Sequence, residues 1–154
     1  SPYTQVDITD FNKLNVSAHI ATRWLVNIRG INGSGKSTIP QMMMENDKNI
    51  FELTWNYDSK PKVFAVVSPL YETIFIGRYR GLQGGKTGGL DTMKSNDEIE
   101  QAVELVWESS YNILMEGVMA STLRGAYSKL FQRMNKEHTP RRIIIYSLLL
   151  IYYI

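Results

Sequence analysis

Residues 30 to 37 combine glycines, a lysine and a serine at the spacing G-x-x-x-x-G-K-[ST], which is the phosphate-loop or Walker A pattern. Glycines let successive backbone N–H groups point at one anion, and the N-terminus of a following helix adds partial positive charge. We expect Lys36 to bind the β- and γ-phosphates of ATP, the Ser37 hydroxyl to coordinate Mg²⁺, and Thr38 to donate to the α-phosphate. A plain Gly/Ser-rich turn is the alternative. The predicted nucleotide site comprises Gly30, Asn32, Gly33, Ser34, Gly35, Lys36, Ser37 and Thr38.

Glu116 closes a short apolar stretch, residues 113 to 115, that has the pattern of a buried strand. In an open α/β sheet, ligands bind at the carboxyl ends of the strands, where this carboxylate would lie. There Glu116 would hold Mg²⁺ or a metal-bound water, as the acidic residue of a Walker B strand does. The alternative is that Glu116 caps the following helix.

Asp91 follows a segment, residues 81 to 89, that carries five glycines. Such a segment is typical of a mobile substrate loop. Asp91 would accept the proton of an attacking hydroxyl or hydrogen-bond the substrate, and the alternative is a simple turn residue. Arginines nearby would bind a substrate phosphate or stabilise transferring charge, unless they are merely solvated. The predicted substrate site comprises Arg78, Tyr79, Gly89, Asp91 and Arg124, and the predicted catalytic residues are Lys36, Asp91 and Glu116.

Alternating strand and helix patterns would position these residues. Apolar or alternating runs predict strands. A capping box, with Ser95 as the N-cap and Glu98 at the third helical position, predicts the start of a helix. The apolar residues of this helix recur at helical spacing and should face the sheet. Residues 1 to 22 are polar and only weakly periodic, which indicates a peripheral arm or a short helix. Predicted strands span residues 24–28, 49–57, 62–67, 73–76, 113–116 and 143–146, and predicted helices begin at residues 37, 96 and 121. This alternation indicates an α/β fold with a mainly parallel sheet.

Composition excludes several classes of protein. The chain has 154 residues, no cysteine, two histidines and a formal net charge of +2, so disulfides, thiolate metal sites and strongly basic polyanion binding are not expected. Residues 135 to 138 lack the aspartate of a guanine-reading N-K-x-D element, which disfavours a regulatory GTPase. No signal peptide is apparent, and the apolar tail 148 to 154 is too short to span a bilayer, so a cytoplasmic location without membrane contact is expected.

The motifs together resemble those of phage-encoded phosphate-loop kinases, among them the 5-hydroxymethyluracil DNA kinases of thymine-hypermodifying phages. The resemblance spans residues 24 to 145, and Gly88-Gly89-Leu90-Asp91-Thr92 followed by Met115-Glu116-Gly117 is its most selective part. It implies a three-layer, Rossmann-like P-loop NTPase fold over residues 23 to 154. It also implies ATP-dependent phosphorylation of a hydroxymethyl group on a modified pyrimidine in DNA. Because the chain ends at residue 154, we expect the arginine-bearing lid of such kinases to be missing or truncated.

Two other functions fit the same residues. A kinase for free nucleosides or nucleotides needs the same phosphate loop and acceptor base. A binding or switch module that holds nucleotide without phosphate transfer needs the loop alone, and would leave Asp91 turned away from it.

Overall fold

The computed structural model describes residues 4–15, 23–29, 38–79, 88–117, 132 and 141–147. Strands and helices alternate along much of the described chain, as the patterns predict. A 3₁₀ turn at Leu90–Thr92 precedes the last described helix. The strands are β1 (Gln5–Asp7), β2 (Arg23–Arg29), β3 (Phe51–Tyr57), β4 (Lys60–Ser68), β5 (Thr73–Ile76), β6 (Asn112–Glu116) and β7 (Arg141–Ser147); the helices are α1 (Ile8–Leu14), α2 (Thr38–Glu45) and α3 (Asn96–Val106).

The strands form one mixed sheet in the order β1-β3-β4-β5-β6-β2-β7. Strand β4 pairs antiparallel with both β3 and β5, and every other neighbouring pair is parallel. All strands except β4 therefore run in the same direction and end at one edge, which we call the carboxyl edge. The expectation of a mainly parallel sheet is confirmed, and β7 confirms the predicted last parallel strand.

Helices cover both faces of the sheet, so the described part of the chain has three layers. One apolar cluster joins Ile8 and Phe11 of α1 and the inner face of α3 to sheet residues such as Leu25 and Ile113. A smaller cluster joins Met44 of α2 to Ile28, Val66, Phe75 and Leu114 on the opposite face. The alternation of side chains along each strand supplies both clusters, because Ile113 and Leu114 point to opposite faces.

Two tight turns build the antiparallel part of the sheet. Asp58 and Ser59 join β3 to β4 with φ of 50° and 66°, the left-handed values that a two-residue hairpin turn requires. The turn between β4 and β5 is fixed by Asp47, whose carboxylate accepts hydrogen bonds from Ser68 Oγ at 2.7 Å and from the Leu70 backbone N–H at 3.0 Å. Strands β4 and β5 pair antiparallel, so these two predicted strands form a hairpin.

Helix α3 follows the prediction closely. The Ser95 side chain accepts a hydrogen bond from the Glu98 backbone N–H at 3.2 Å and so caps the helix. The Glu98 carboxylate accepts from the backbone N–H of Lys94 rather than from that of Ser95. The apolar residues expected to face the sheet are all buried: Ile99, Val103, Val106 and Trp107.

The segment before β2 is packed on the sheet where it is described. Strand β1 pairs with β3, and α1 is a short helix, one of the two alternatives expected for residues 1 to 22. Phe11 anchors α1 in the core, whereas Leu14, the other large apolar residue towards its end, is 86% exposed. Three predicted features lie outside the described residues: the helix from residue 121, apart from Gln132, the glycines from 81 to 87, and the tail 148 to 154. Within the described ranges, no helix is long and apolar enough to cross a membrane.

Candidate active site

The carboxyl edge brings Glu116 next to the strand that leads into residues 30 to 37. Strands β2 and β6 are parallel neighbours, and their register pairs Ile28 with Glu116. Ile28 lies two residues before Gly30, where the phosphate-loop pattern begins. Glu116 is the last residue of β6, as predicted, and is fully buried. The sheet therefore presents a carboxylate at the edge where open α/β sheets bind ligands.

Tyr79 holds the Glu116 carboxylate. The Tyr79 hydroxyl donates a hydrogen bond of 2.8 Å to Glu116 Oε1. Burial and the neighbouring negative charge of Glu116, with a smaller effect from Asp91, raise the pKa of Tyr79 well above its ordinary value. Tyr79 therefore keeps its proton at neutral pH and remains a donor to the carboxylate. A hydrogen bond to a charged acceptor is among the stronger ones in proteins.

Two glycines allow the segment carrying Asp91 to approach Glu116. Gly89 has φ of +76°, and a Cβ atom there would overlap the Glu116 carboxylate and its backbone oxygen. Gly117 has φ of +149°, and a Cβ atom there would lie 2.9 Å from Asp91 Oδ1. Both positions exclude other side chains through backbone conformation and space together. Asp91 and Glu116 are consequently drawn to the same small region of the carboxyl edge.

Thr92 locks the turn that presents Asp91. Its hydroxyl donates to the Gly89 carbonyl oxygen at 2.7 Å and accepts from the Arg78 backbone N–H at 2.8 Å. The Gly89 N–H donates to the Arg78 carbonyl oxygen at 3.1 Å, which closes a bridge between the chain after β5 and the glycine pair. Thr92 was not among the predicted site residues, although its place in the Gly-Gly-x-Asp-Thr motif was the available signal.

A divalent cation fits this chemistry. The described residues hold no group of three or more His, Cys, Asp or Glu side chains that could form an all-protein metal site. Mg²⁺ usually takes one or two carboxylates and completes its shell with water and substrate phosphates. A buried carboxylate at the edge where open α/β sheets bind ligands is a donor of that kind. Glu116 could therefore supply one oxygen ligand.

The structure brings together four of the predicted site residues, Tyr79, Gly89, Asp91 and Glu116. The Arg78 side chain is exposed at the same edge, and Thr38 is the exposed first residue of α2. The structure also gives the Tyr79 hydroxyl a protein partner in Glu116, which the prediction of a substrate contact did not include. The remaining predicted residues lie outside the described ranges: Gly30, Asn32, Gly33, Ser34, Gly35, Lys36, Ser37 and Arg124.

Asn27 is a polar position that was not among the predicted site residues. It lies on β2 beside Met115 and is fully buried. Neither its side-chain oxygen nor its nitrogen has a hydrogen-bond partner within the part of the chain that the structure describes. Buried amides without partners are rare, and each one calls for a specific explanation, of which a functional role is one. Its position three residues before Gly30 would have been the signal.

The fold and this site define an α/β protein with two neighbouring carboxylates, Asp91 and Glu116, at the carboxyl edge of a mainly parallel sheet. The comparison with protein families then identifies the group, because the model of the 5-hmdU DNA kinase family matches residues 12–147. The chain belongs to this family.

Two curated relatives are similar to it. A 5-hmdU DNA kinase of Bacillus phage SP10 is 43% identical over 120 residues, which cover 78% of this chain and 18% of the relative. The 5-hmdU DNA kinase 1 of Salmonella phage ViI is 32% identical over 113 residues, covering 71% of this chain and 48% of the relative. The chain thus spans less than half of each relative. No solved structure is a significant match.

Proposed function

We propose that this chain is a phosphate-loop kinase that transfers the γ-phosphate of ATP to the 5-hydroxymethyl group of 5-hydroxymethyluracil in DNA. The single observation that carries the proposal is the proximity of Asp91 and Glu116 at the carboxyl edge, beside the strand leading into residues 30 to 37. The names of both relatives and of the family support the acceptor. A three-layer P-loop fold is consistent with helices on both faces of the sheet.

The nucleotide would be held by the loop of residues 30 to 37. Backbone N–H groups there would surround the β- and γ-phosphates, and Lys36 would neutralise their charge. Ser37 and Glu116 would provide oxygen ligands for Mg²⁺, which neutralises charge developing on the phosphate oxygens when it is bound. Tyr79 would keep the Glu116 carboxylate in one orientation through the hydrogen bond described above.

Asp91 would act on the acceptor. The acceptor hydroxyl oxygen forms a bond to the γ-phosphorus while the bond from that phosphorus to the bridging oxygen of ADP breaks. The hydroxyl proton passes to the Asp91 carboxylate. The lock formed by Thr92, Gly89 and Arg78 fixes the turn on which Asp91 stands, so this residue would lose little conformational freedom on binding.

A hydroxymethyl group on a base requires access to that base. A base stacked inside a duplex cannot enter a site at the sheet edge, so the substrate would be single-stranded or flipped out of the helix. Arg78, exposed at the same edge, would contact a phosphate of the DNA backbone. The phage origin of both relatives supports phage DNA in the infected cell as the substrate.

Phosphate transfer measured on parallel acceptors tests the proposal. The protein would be incubated with γ-labelled ATP and, separately, with DNA containing 5-hydroxymethyluracil, the same DNA containing thymine, and free 5-hydroxymethyldeoxyuridine. We expect label on the modified DNA alone. Equal labelling of the free nucleoside would instead support a nucleoside kinase, and nucleotide binding without any transfer would support a binding module. Either result contradicts the proposed function.

A further inference from the structure

The turn of residues 89 to 92, which carries Asp91, holds both main-chain polar groups of Arg78. The Arg78 N–H donates to Thr92 Oγ at 2.8 Å, and the Arg78 carbonyl oxygen accepts from the Gly89 N–H at 3.1 Å. Strand β5 ends two residues earlier, at Ile76, so the pairing of the sheet does not extend to Arg78. The position of Arg78 is therefore set by the turn rather than by the sheet.

Gly77 allows the two segments to meet. Its φ is +110°, and a Cβ atom there would overlap the Gly89 carbonyl group, so a larger residue does not fit. The same carbonyl oxygen accepts from the Thr92 hydroxyl at 2.7 Å and from the Thr92 N–H at 3.1 Å. Thr92 Oγ thus closes the turn as a donor and joins it to Arg78 as an acceptor.

The chain just after this turn is anchored to α3. The Lys94 N–H donates to the Glu98 carboxylate at 2.6 Å, and Lys62 forms an ion pair with the same carboxylate. Glu98 is buried, and a buried charge that is paired in this way is costly to displace. The turn is therefore a fixed reference from which both Asp91 and Arg78 take their positions.

The Thr92 hydroxyl matters more for position than for stability. Its bond to the Arg78 N–H is exposed, so water can take the place of a lost acceptor. A water molecule satisfies the N–H but does not fix its position, because it has no covalent tie to the turn. A displacement of about 1 Å in a group that positions a substrate can cost about 100-fold in rate.

We propose that Thr92 is a positioning residue that couples contact with the DNA strand at Arg78 to activation of the acceptor at Asp91. The proposal rests on the proposed function, which places a backbone phosphate at Arg78 and the acceptor hydroxyl at Asp91. It adds that one hydroxyl sets the distance between these two contacts. A strand bound at Arg78 then brings its modified base to Asp91, which a free nucleoside cannot do.

A double-mutant cycle on DNA binding tests the link to Arg78. Binding of a single-stranded oligonucleotide with one 5-hydroxymethyluracil would be measured by fluorescence anisotropy without ATP. In the wild-type background, Arg78→Ala should weaken binding about tenfold, as expected for the loss of one hydrogen bond between charged groups. In a Thr92→Val background, the same change should weaken binding about twofold or less, because Arg78 is no longer held in place.

Transfer kinetics test the link to Asp91. Thr92→Val should lower kcat for the oligonucleotide about 100-fold with unchanged ATP affinity, and Thr92→Ser, which keeps the hydroxyl, should restore it. In an Asp91→Asn background, Thr92→Val should lower kcat little further, because Thr92 acts through Asp91. Thr73→Val is the matched control, since the Thr73 hydroxyl donates to the Tyr71 carbonyl oxygen at 2.8 Å at the opposite end of β5. This control should transfer phosphate as the wild type does.

Thermal unfolding would establish that each variant is folded, and Thr92→Ala, which also lacks the hydroxyl, decides the question if Thr92→Val is not. Equal effects of Arg78→Ala in the two backgrounds, no binding by the wild type, wild-type kcat in Thr92→Val, or no rescue by Thr92→Ser would each overturn the proposal. Absent transfer by the wild type with the expected binding cycle would refute the proposed function and the link to Asp91, and would leave the link between Thr92 and Arg78.

Discussion

Replacing Tyr79 with phenylalanine tests how the Glu116 carboxylate is oriented. The change removes one hydroxyl and with it the 2.8 Å hydrogen bond to Glu116 Oε1. A hydrogen bond to a charged group contributes about 1.5–3 kcal/mol, and Glu116 is fully buried, so water cannot readily replace the lost donor. Removing a partner that orients a metal ligand typically costs about 10–100-fold in metal affinity. We expect Tyr79→Phe to weaken divalent-metal binding by that factor.

The assay uses Mn²⁺ in place of Mg²⁺ and measures free Mn²⁺ by electron paramagnetic resonance in the presence of a nonhydrolysable ATP analogue. Binding of the analogue without metal should stay within about twofold, because the phosphate loop itself is unchanged. Tyr71→Phe is the matched control. Its hydroxyl accepts a hydrogen bond of 3.2 Å from Asn46 on the exposed surface, away from Glu116. This variant should bind Mn²⁺ as the wild type does.

Unchanged Mn²⁺ affinity in Tyr79→Phe would refute the reasoning, provided that the variant folds. Thermal unfolding of both variants decides that point. A similar loss of Mn²⁺ affinity in Tyr71→Phe would show that the effect comes from a general loss of folded stability rather than from the Glu116 contact.

Three further predictions follow from the same site. Because the pKa of Tyr79 is raised, the folded protein retains a proton that the unfolded chain releases near pH 10. The free energy of unfolding should therefore fall as the pH rises above about 10. Denaturant titrations should show a less steep fall in Tyr79→Phe. Glu116→Gln keeps the shape and removes the charge, so transfer should fall at least about 100-fold with little change in melting temperature. A loss of folding with normal activity per folded molecule would indicate a structural role instead. Asp91→Asn should lower transfer by about 10²–10⁴-fold while sparing ATP affinity, and loss of both would make Asp91 a turn residue.

Much of the sheet could be predicted from local patterns. The apolar run around Leu25 and the alternating run from Phe51 to Tyr57 are strands because their side-chain period matches a pleated surface with two buried faces. The position of Glu116 at the carboxyl edge could be predicted because this residue ends a strand-like run. Ser95 could be predicted as an N-cap because it directly precedes apolar residues at helical spacing. Each of these signals lies within a few neighbouring residues.

The contacts that build the site could not be predicted in this way. Tyr79 and Glu116 are 37 positions apart, and only the parallel pairing of β5 with β6 brings their segments together. The edge strand β1 has three residues and no pattern of its own, since its place is determined by pairing with β3. Position 89 likewise requires glycine because the Glu116 carboxylate lies beside it. The residues next to Gly89 in the sequence give no indication of that contact.

The most direct test of the central claim is the location of the transferred phosphate. Wild-type protein and Lys36→Ala would be incubated with ATP, Mg²⁺ and an oligonucleotide containing one 5-hydroxymethyluracil, and the digested nucleosides would be analysed by mass spectrometry. We expect a nucleoside phosphorylated on the 5-hydroxymethyl oxygen with the wild type and none with Lys36→Ala, which should fold normally. Phosphate at any other position, or equal product with Lys36→Ala, would contradict the account.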